Sequence, residues 1–205
     1  MVNHPTPQRL LWLCVILMSL VLYFPINRFA HGGIQLSIPI DQNLPLYPPA
    51  IIPYLFGSAL FVGLPIWAAA KVRRGEFEAF TISILLGTVI SYVVYLSFPT
   101  FVTRPDITSS DIFSRAIVTL YETDKAYNAA PSGHALYTTL AFLYLLRWKP
   151  NARITWLISA LLILISTLLT RQHHILDLLA GVALGIITYA IGRIIQKKWE
   201  LSFAS

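Results

Sequence analysis

Charge is what this chain has least of. Asp, Glu, Lys and Arg supply 12% of its 205 residues, against about 25% in an average soluble domain. A hydrophobic share of 56% and a mean hydropathy of +0.67 make lipid the natural solvent for so uncharged a chain. Cysteine is nearly absent. Cys14 stands alone, which excludes an intrachain disulfide and a soft-metal cluster. Acidic residues number 9 and nowhere gather into the carboxylate group that magnesium would need, so neither metal nor cofactor is expected. Internal repeats and low-complexity tracts are missing. What charge there is leans basic, with a net +6 and a pI near 9.6. In a soluble protein that balance would suggest nucleic acid. Here the basic residues lie mostly between apolar runs, so they speak for topology and anionic headgroups instead.

The apolar runs are Leu10–Phe24, Ala50–Ala70, Phe77–Phe98, Ala135–Trp148, Ile154–Thr170 and Ile175–Ile195. Each predicts a membrane helix, because a backbone in hydrocarbon must satisfy its own hydrogen bonds. The expected fold is all-α: one polytopic membrane domain over residues 1–205 with six transmembrane helices. The first run has the alternative of a signal peptide, but it lacks a strongly basic start and a small-x-small cleavage site. Pro53 and Pro65 fall within the second run and are tolerable there, with a kink.

With the N-terminus in the cytoplasm, Arg9, Lys71, Arg73, Arg74, Arg147, Lys149, Arg153, Arg193, Lys197 and Lys198 fall inside. Arg28, Arg104, Arg115, Lys125 and Arg171 fall outside. Two thirds of the basic residues on one side favours both termini in the cytoplasm, as in a bacterial inner or plasma membrane. Two outer segments are long. Asn27–Pro49 is too proline-rich to be helical throughout. Pro99–Pro131 contains Asp111–Tyr121, with apolar residues at helical spacing, which predicts an amphipathic helix on the outer interface, capped by Ser110. The alternative is a loop helix packed on the protein. Ala135–Trp148 is only 14 residues, about 21 Å of helix against a core of about 30 Å. With Trp148 at the inner interface, His134 would lie recessed below the outer surface.

Three polar elements interrupt this plan. Pro131-Ser132-Gly133-His134 opens a helix: Ser132 caps it, Gly133 admits a close approach, and the free amides at the helix start attract anions. A histidine there can protonate a leaving oxygen; the bland alternative is a helix start with an incidental histidine. In Thr170-Arg171-Gln172-His173-His174-Ile175-Leu176-Asp177, His173 and Asp177 share a helical face. A carboxylate so placed can hold one imidazole nitrogen protonated and free the other to attack; the alternative is a capping contact at a polar turn. His174 lies off that face and, with His4 and His31, receives no role. In Phe98–Pro105, Arg104 stands at the outer end of the third run, where it can clamp phosphate oxygens or merely snorkel. All three elements map to one side under a topology fixed by other residues. Two histidines, an acid, arginines and a helix N-terminus suit phosphoryl transfer through a phosphohistidine.

These residues resemble the type 2 phosphatidic acid phosphatase superfamily, which also includes vanadium haloperoxidases and, more distantly, sphingolipid headgroup transferases. The family pattern runs K-x6-R-P, P-S-G-H and S-R-x5-H-x3-D, and the resemblance spans Ser97 to Asp177. The second motif is complete. Arg104 and Pro105 match the first, and Ser166, His173 and Asp177 match the third. Ser97 stands where the family has lysine and Thr167 where it has arginine. Arg171, one turn beyond Thr167, is the candidate substitute, and the altered third motif is similar to that of inositol-phosphorylceramide and sphingomyelin synthases. The resemblance implies that His173 is the nucleophile, Asp177 orients it, and His134 is the acid and then the base. It gives Arg104, Arg171, Ser132 and Gly133 as phosphate ligands. It implies a lipid phosphatase acting on a phosphomonoester or diphosphate that enters from the membrane, with its site outside the cytoplasm. The alternatives are transfer of a phospho-headgroup between lipids and a non-catalytic protein or transporter, though a transporter would more often show a repeat. Gly181 and Gly185 predict close packing of the last helix. The sequence is silent on oligomeric state.

Overall fold

The computed structural model describes residues 6–202, with side chains described as far as Trp199. His4 and both chain ends, whose cytoplasmic placement the charge bias favours, lie outside these residues. Among them there is no β-strand, only isolated bridges pairing Ile34 with Thr100 and Phe101 with Tyr127.

Helices follow the apolar runs closely. α1 (Pro7–Val21) begins with Pro7 at its first turn, where the missing N–H costs nothing, and the Thr6 side chain accepts from the Arg9 amide. A turn at Leu22 leads into α2 (Tyr23–Phe29). The proline-rich segment that follows holds only the short α3 (Pro39–Gln42) and a 3-10 turn at Pro48–Ala50. α4 spans Ile51–Lys71. Pro53 falls in its first turn, where no backbone bond is lost, so only Pro65 interrupts the helix interior. α5 spans Arg74–Ser97, α6 Ile112–Thr123, α7 Gly133–Trp148, α8 Arg153–Leu169 and α9 Ile175–Ser202.

Among the described residues, five helical stretches are long and apolar enough to cross a membrane: Pro7–Phe29, Pro48–Lys71, Arg74–Ser97, Pro150–Leu169 and Ile175–Trp199. α7, with 16 residues, is about 24 Å long and stands at the centre of the bundle against α4, α5, α8 and α9. Its Leu136, Leu140 and Tyr144 join Phe77, Phe80 and Ala68 in the main core. The outward faces of α5 and α8 carry Val89, Val93, Leu96, Ile154, Ile158, Leu162 and Ile165, all exposed. A belt of that kind is a liability in water and the expected surface in lipid.

α6 is capped by Asp111, not by the expected Ser110. The Asp111 carboxylate accepts from the Phe113 and Ser114 amides at 2.9 and 3.2 Å and from the Ser114 hydroxyl. With the Ser109 hydroxyl at 2.8 Å, one charged group thus serves four donors, which a hydroxyl at 110 cannot match. α6 turns Ile117 inward against Ile51 and Tyr54 and leaves Ile112, Phe113 and Val118 exposed.

Two packing devices fix the ends of the bundle. Gly181 and Gly185 press α9 onto α7: a Cβ at Gly181 would collide with the Ser132 carbonyl oxygen, and one at Gly185 would lie 2.8 Å from the Thr139 Cβ. At the far end, the Glu76 carboxylate of α5 accepts from Arg147 of α7 at 2.8 and 2.9 Å and from Arg193 of α9 at 2.8 Å, with the Trp148 indole at 3.3 Å. Arg9 binds the Ala69 carbonyl at the same end. His134, His173 and the long loops occupy the opposite end.

Candidate active site

The close approach of α7 and α9 brings together the two sequence elements that carry histidine. The Ser132 amide donates to the Asp177 carbonyl at 2.9 Å, tying the start of α7 to the first turn of α9. Ser132 caps α7 with its side chain on the Ala135 amide at 3.2 Å, while its carbonyl accepts from Leu136. Of the amides orphaned at a helix start, those of Gly133 and His134 are left for a ligand.

His134 is held on three sides. Its Nε2 lies 3.1 Å from the Ser58 hydroxyl, its ring stacks on Tyr54 at 4.0 Å, and Phe61 meets it edge-on at 4.9 Å. His173 is delivered by the tight α8–α9 turn, in which the Gln172 and His173 amides both return to the Thr167 carbonyl and Arg171 takes a positive φ of 54°. The two imidazole rings are 6.4 Å apart, centroid to centroid, and both line one cavity of about 290 Å³.

The orientation of His173 differs from the sequence expectation. Its Nδ1 lies 3.0 Å from the Ala129 carbonyl oxygen, whereas Asp177 Oδ2 is 4.0 Å away. The Asp177 carboxylate makes its short bond, 2.8 Å, to the His174 amide, the reciprocal half of a capping box at the start of α9. A carbonyl oxygen only accepts, so Nδ1 carries the proton and Nε2 keeps its lone pair. Burial, followed by the nearby His134 imidazole, lowers His173 from the ordinary histidine value to about 3, which keeps the ring neutral. The fully buried Asp177 lies 4.0 Å from the ring, and its Oδ1 has no hydrogen-bond partner.

Neither arginine expected to bind phosphate lines the cavity. Arg104 donates to the Asp124 carbonyl at 2.6 Å and to Gln172 Oε1 at 2.5 Å, and its guanidinium lies over the Tyr121 ring at 4.4 Å. It braces the loops beside His173, near enough for its charge to act on that ring. Arg171 points away, donating to the Asp41 and Leu44 carbonyls at 2.6 and 3.2 Å. Ser97 and Thr167, at the family's basic positions, are spent on backbone carbonyls of their own helices. Among the described residues, no Lys or Arg lines the cavity and no three His, Cys, Asp or Glu side chains form a metal-binding group.

The cavity holds residues that sequence reasoning did not single out. Tyr23, Tyr54, Tyr92, Tyr95 and Tyr137 line it, with Ser58, Ser91, Asp124 and Asn128. Asn128 has a positive φ of 60° and turns the chain just before the Ala129 carbonyl that meets His173. Asn27 anchors this turn, donating to the Lys125 and Tyr127 carbonyls and accepting from the Lys125 amide. A serine within an apolar run was the one legible hint for Ser58. A backbone carbonyl such as Ala129's has no signature in sequence.

Comparison with known proteins gives a family and a fold. The model of the PAP2 superfamily matches residues 77–200. No curated protein sequence matches. Among solved structures, the crystal structure of Aquifex aeolicus LpxE is similar, at 20% identity and a TM-score of 0.53, covering 85% of this chain and 94% of that one. At that identity the likeness is one of fold.

Proposed function

Because this chain belongs to the PAP2 superfamily, we propose that it is a membrane lipid phosphatase working through a phosphohistidine on His173. The observation that carries the reading is the pairing of His134 and His173 across one cavity, 6.4 Å apart, with Nδ1 of His173 held by the Ala129 carbonyl. Both rings border the same cavity, so a phosphoryl group bound there can meet His173 on one side and His134 on the other.

In the first step His173 Nε2 attacks phosphorus and forms a P–N bond. The P–O bond to the lipid breaks, and its electron pair stays on the lipid oxygen, which takes a proton from His134. In the second step His134 removes a proton from water, the oxygen attacks phosphorus, and the P–N bond breaks to release phosphate and neutral His173. Asp177 stabilises the positive imidazole of the intermediate by charge and holds the 173–174 turn; Ala129 sets the tautomer. The Gly133 and His134 amides at the start of α7 receive phosphoryl oxygens, with Ser132 fixing that helix end. Arg104 adds a positive charge from behind His173. Arg171 serves the Asp41–Leu44 loop in this arrangement.

Access from the bilayer is supported by the cavity wall. Phe24 of α2 and Val62 of α4 line the cavity and are also exposed, so a lipid chain can lie against them while the headgroup enters. The positive-inside bias favours a position for this end of the bundle outside the cytoplasm. The second reading, transfer of a phospho-headgroup to a lipid alcohol, draws on the lack of lining arginines and lysines, since a diester donor carries less charge than a monoester. The test is phosphate release by purified protein from phosphatidate and polyprenyl phosphates or diphosphates. Release without an added acceptor, lost in His173→Ala, supports hydrolysis. Turnover only with a lipid alcohol present supports transfer, and turnover that survives His173→Ala refutes the nucleophile.

A further inference from the structure

The mechanism leaves one charged group of the cavity unused. Asp124, in the loop between α6 and α7, lines the same cavity as the two histidines. Its Oδ1 accepts from the Tyr23 hydroxyl at 2.7 Å, and the Tyr54 hydroxyl also reaches it. Tyr54 in turn stacks on His134, so the carboxylate stands one aromatic ring away from the acid–base histidine. Among the described residues it has no ion-pair partner within 4.0 Å. Arg104, the nearby cation, donates to the Asp124 backbone carbonyl and not to its carboxylate.

A carboxylate without a cationic partner is a poor neighbour for a phosphate, since like charges in a low-dielectric pocket repel strongly. The surroundings suit a cation instead. The Tyr23 and Tyr95 rings meet at 6.4 Å and 69°, and the Tyr92 and Tyr95 rings at 6.2 Å and 44°, presenting π-faces and edges beside the carboxylate. Asn128, 2% exposed, lines the cavity with both its amide nitrogen and oxygen unpartnered. Buried polar atoms in a native site ordinarily have partners, and here a ligand with both donors and acceptors supplies them. Burial also pushes the Asp124 carboxyl up from its usual range, a penalty that a bound cation relieves.

Building on the proposed phosphatase or transferase reading, we infer that the lipid taken by this cavity carries a free amine close to its phosphate, with the ammonium held by Asp124 among Tyr23, Tyr54 and Tyr95. The amine can belong to the lipid backbone, as in a sphingoid base phosphate, or to the headgroup, as in phosphatidylethanolamine. Either makes the ligand zwitterionic and so accounts for a phosphate site whose lining has a carboxylate and, among the described residues, no lysine or arginine.

The experiment uses two matched pairs with the purified full chain. Sphingosine 1-phosphate is compared with ceramide 1-phosphate, whose amine is acylated, and phosphatidylethanolamine with phosphatidylethanol, which lacks the amine. Binding is measured on His173→Ala protein in detergent, and turnover on the wild type. The expected result is about tenfold tighter binding of the amine member in at least one pair, and that pair identifies where the amine sits. Asp124→Asn in the His173→Ala background should bring the ratio to near one, and Asp124→Glu should keep part of it. Equal binding within both pairs overturns the amine inference, as does a preference untouched by Asp124→Asn. If Asp124→Asn does not fold, the wild-type ratios decide alone. Failure of the underlying reading looks different: the amine preference in binding persists, yet no lipid phosphate, diester or diphosphate is turned over with or without an acceptor.

Discussion

The two ends of the helix bundle treat their polar groups in opposite ways. At the Glu76 end one carboxylate meets two guanidiniums and an indole, all within 3.3 Å. At the His134–His173 end, buried polar atoms of Asn128, His174, Arg104 and Asp177 go without partners. An unpartnered buried group costs free energy, so a protein keeps several in one place only where something else fills them. Satisfied charges lock α5, α7 and α9 together at one end; unsatisfied ones mark where a ligand completes the structure at the other.

The largest test of this contrast is His173→Ala. Loss of the nucleophile should lower turnover more than about 10³-fold, with elution and thermal unfolding close to wild type. A folded mutant that keeps substantial turnover would move the chemistry elsewhere. Glu76→Gln probes the opposite end. It removes the charge that two arginines share, and should destabilise the protein by about 1–3 kcal/mol, discounted because Arg147 is partly exposed. Turnover per folded molecule should stay within about threefold of wild type. A large drop in turnover at unchanged stability would erase the distinction between the ends.

Much of the scaffold was legible because its causes are local. Apolar runs gave the helices to within a few residues, and Ile175 begins α9 as the run did. The Gly181–Gly185 step predicted the close packing that now joins α9 to α7, and Pro131–His134 predicted a capped helix start, which Ser132 provides. The details of the pocket were less legible because they depend on what the chain meets far away in sequence. Arg104 and Arg171 carry long, many-donor side chains, and their carbonyl partners lie 17 or more residues away. Asp177 has the spacing to orient His173, yet the His174 amide is nearer and takes the short bond. The partner that does meet Nδ1 is a backbone carbonyl, which any residue would supply.

Smaller effects sharpen the same comparison. Asn128→Gly keeps the positive φ of 60° accessible and removes a side chain with no protein partner, so thermal stability should change little while kcat/KM falls about tenfold. A fall in stability with unchanged kinetics would make Asn128 a structural residue of the loop. The smallest effect is protonic. With its folded value lowered to about 3 by burial, His173 remains neutral as pH falls through about 6.5, where an ordinary histidine charges. The unfolded chain then binds the extra proton, so acidification from pH 6.5 should erode stability through this group. Nitrogen NMR of histidine-labelled protein should find the Nδ1–H tautomer at pH 6 and a midpoint well below 6.5; a midpoint near 6.5 would count against a dry, carbonyl-held ring.

The central claim is that a covalent phosphoryl group passes through His173. Rapid quenching of the purified protein with radiolabelled lipid phosphate, followed by peptide mapping under alkaline conditions, reads this directly. The account predicts an acid-labile label on the peptide containing His173, formed within one turnover and lacking in His173→Ala. Label on a different residue, or turnover with no labelled protein at any time, would contradict it.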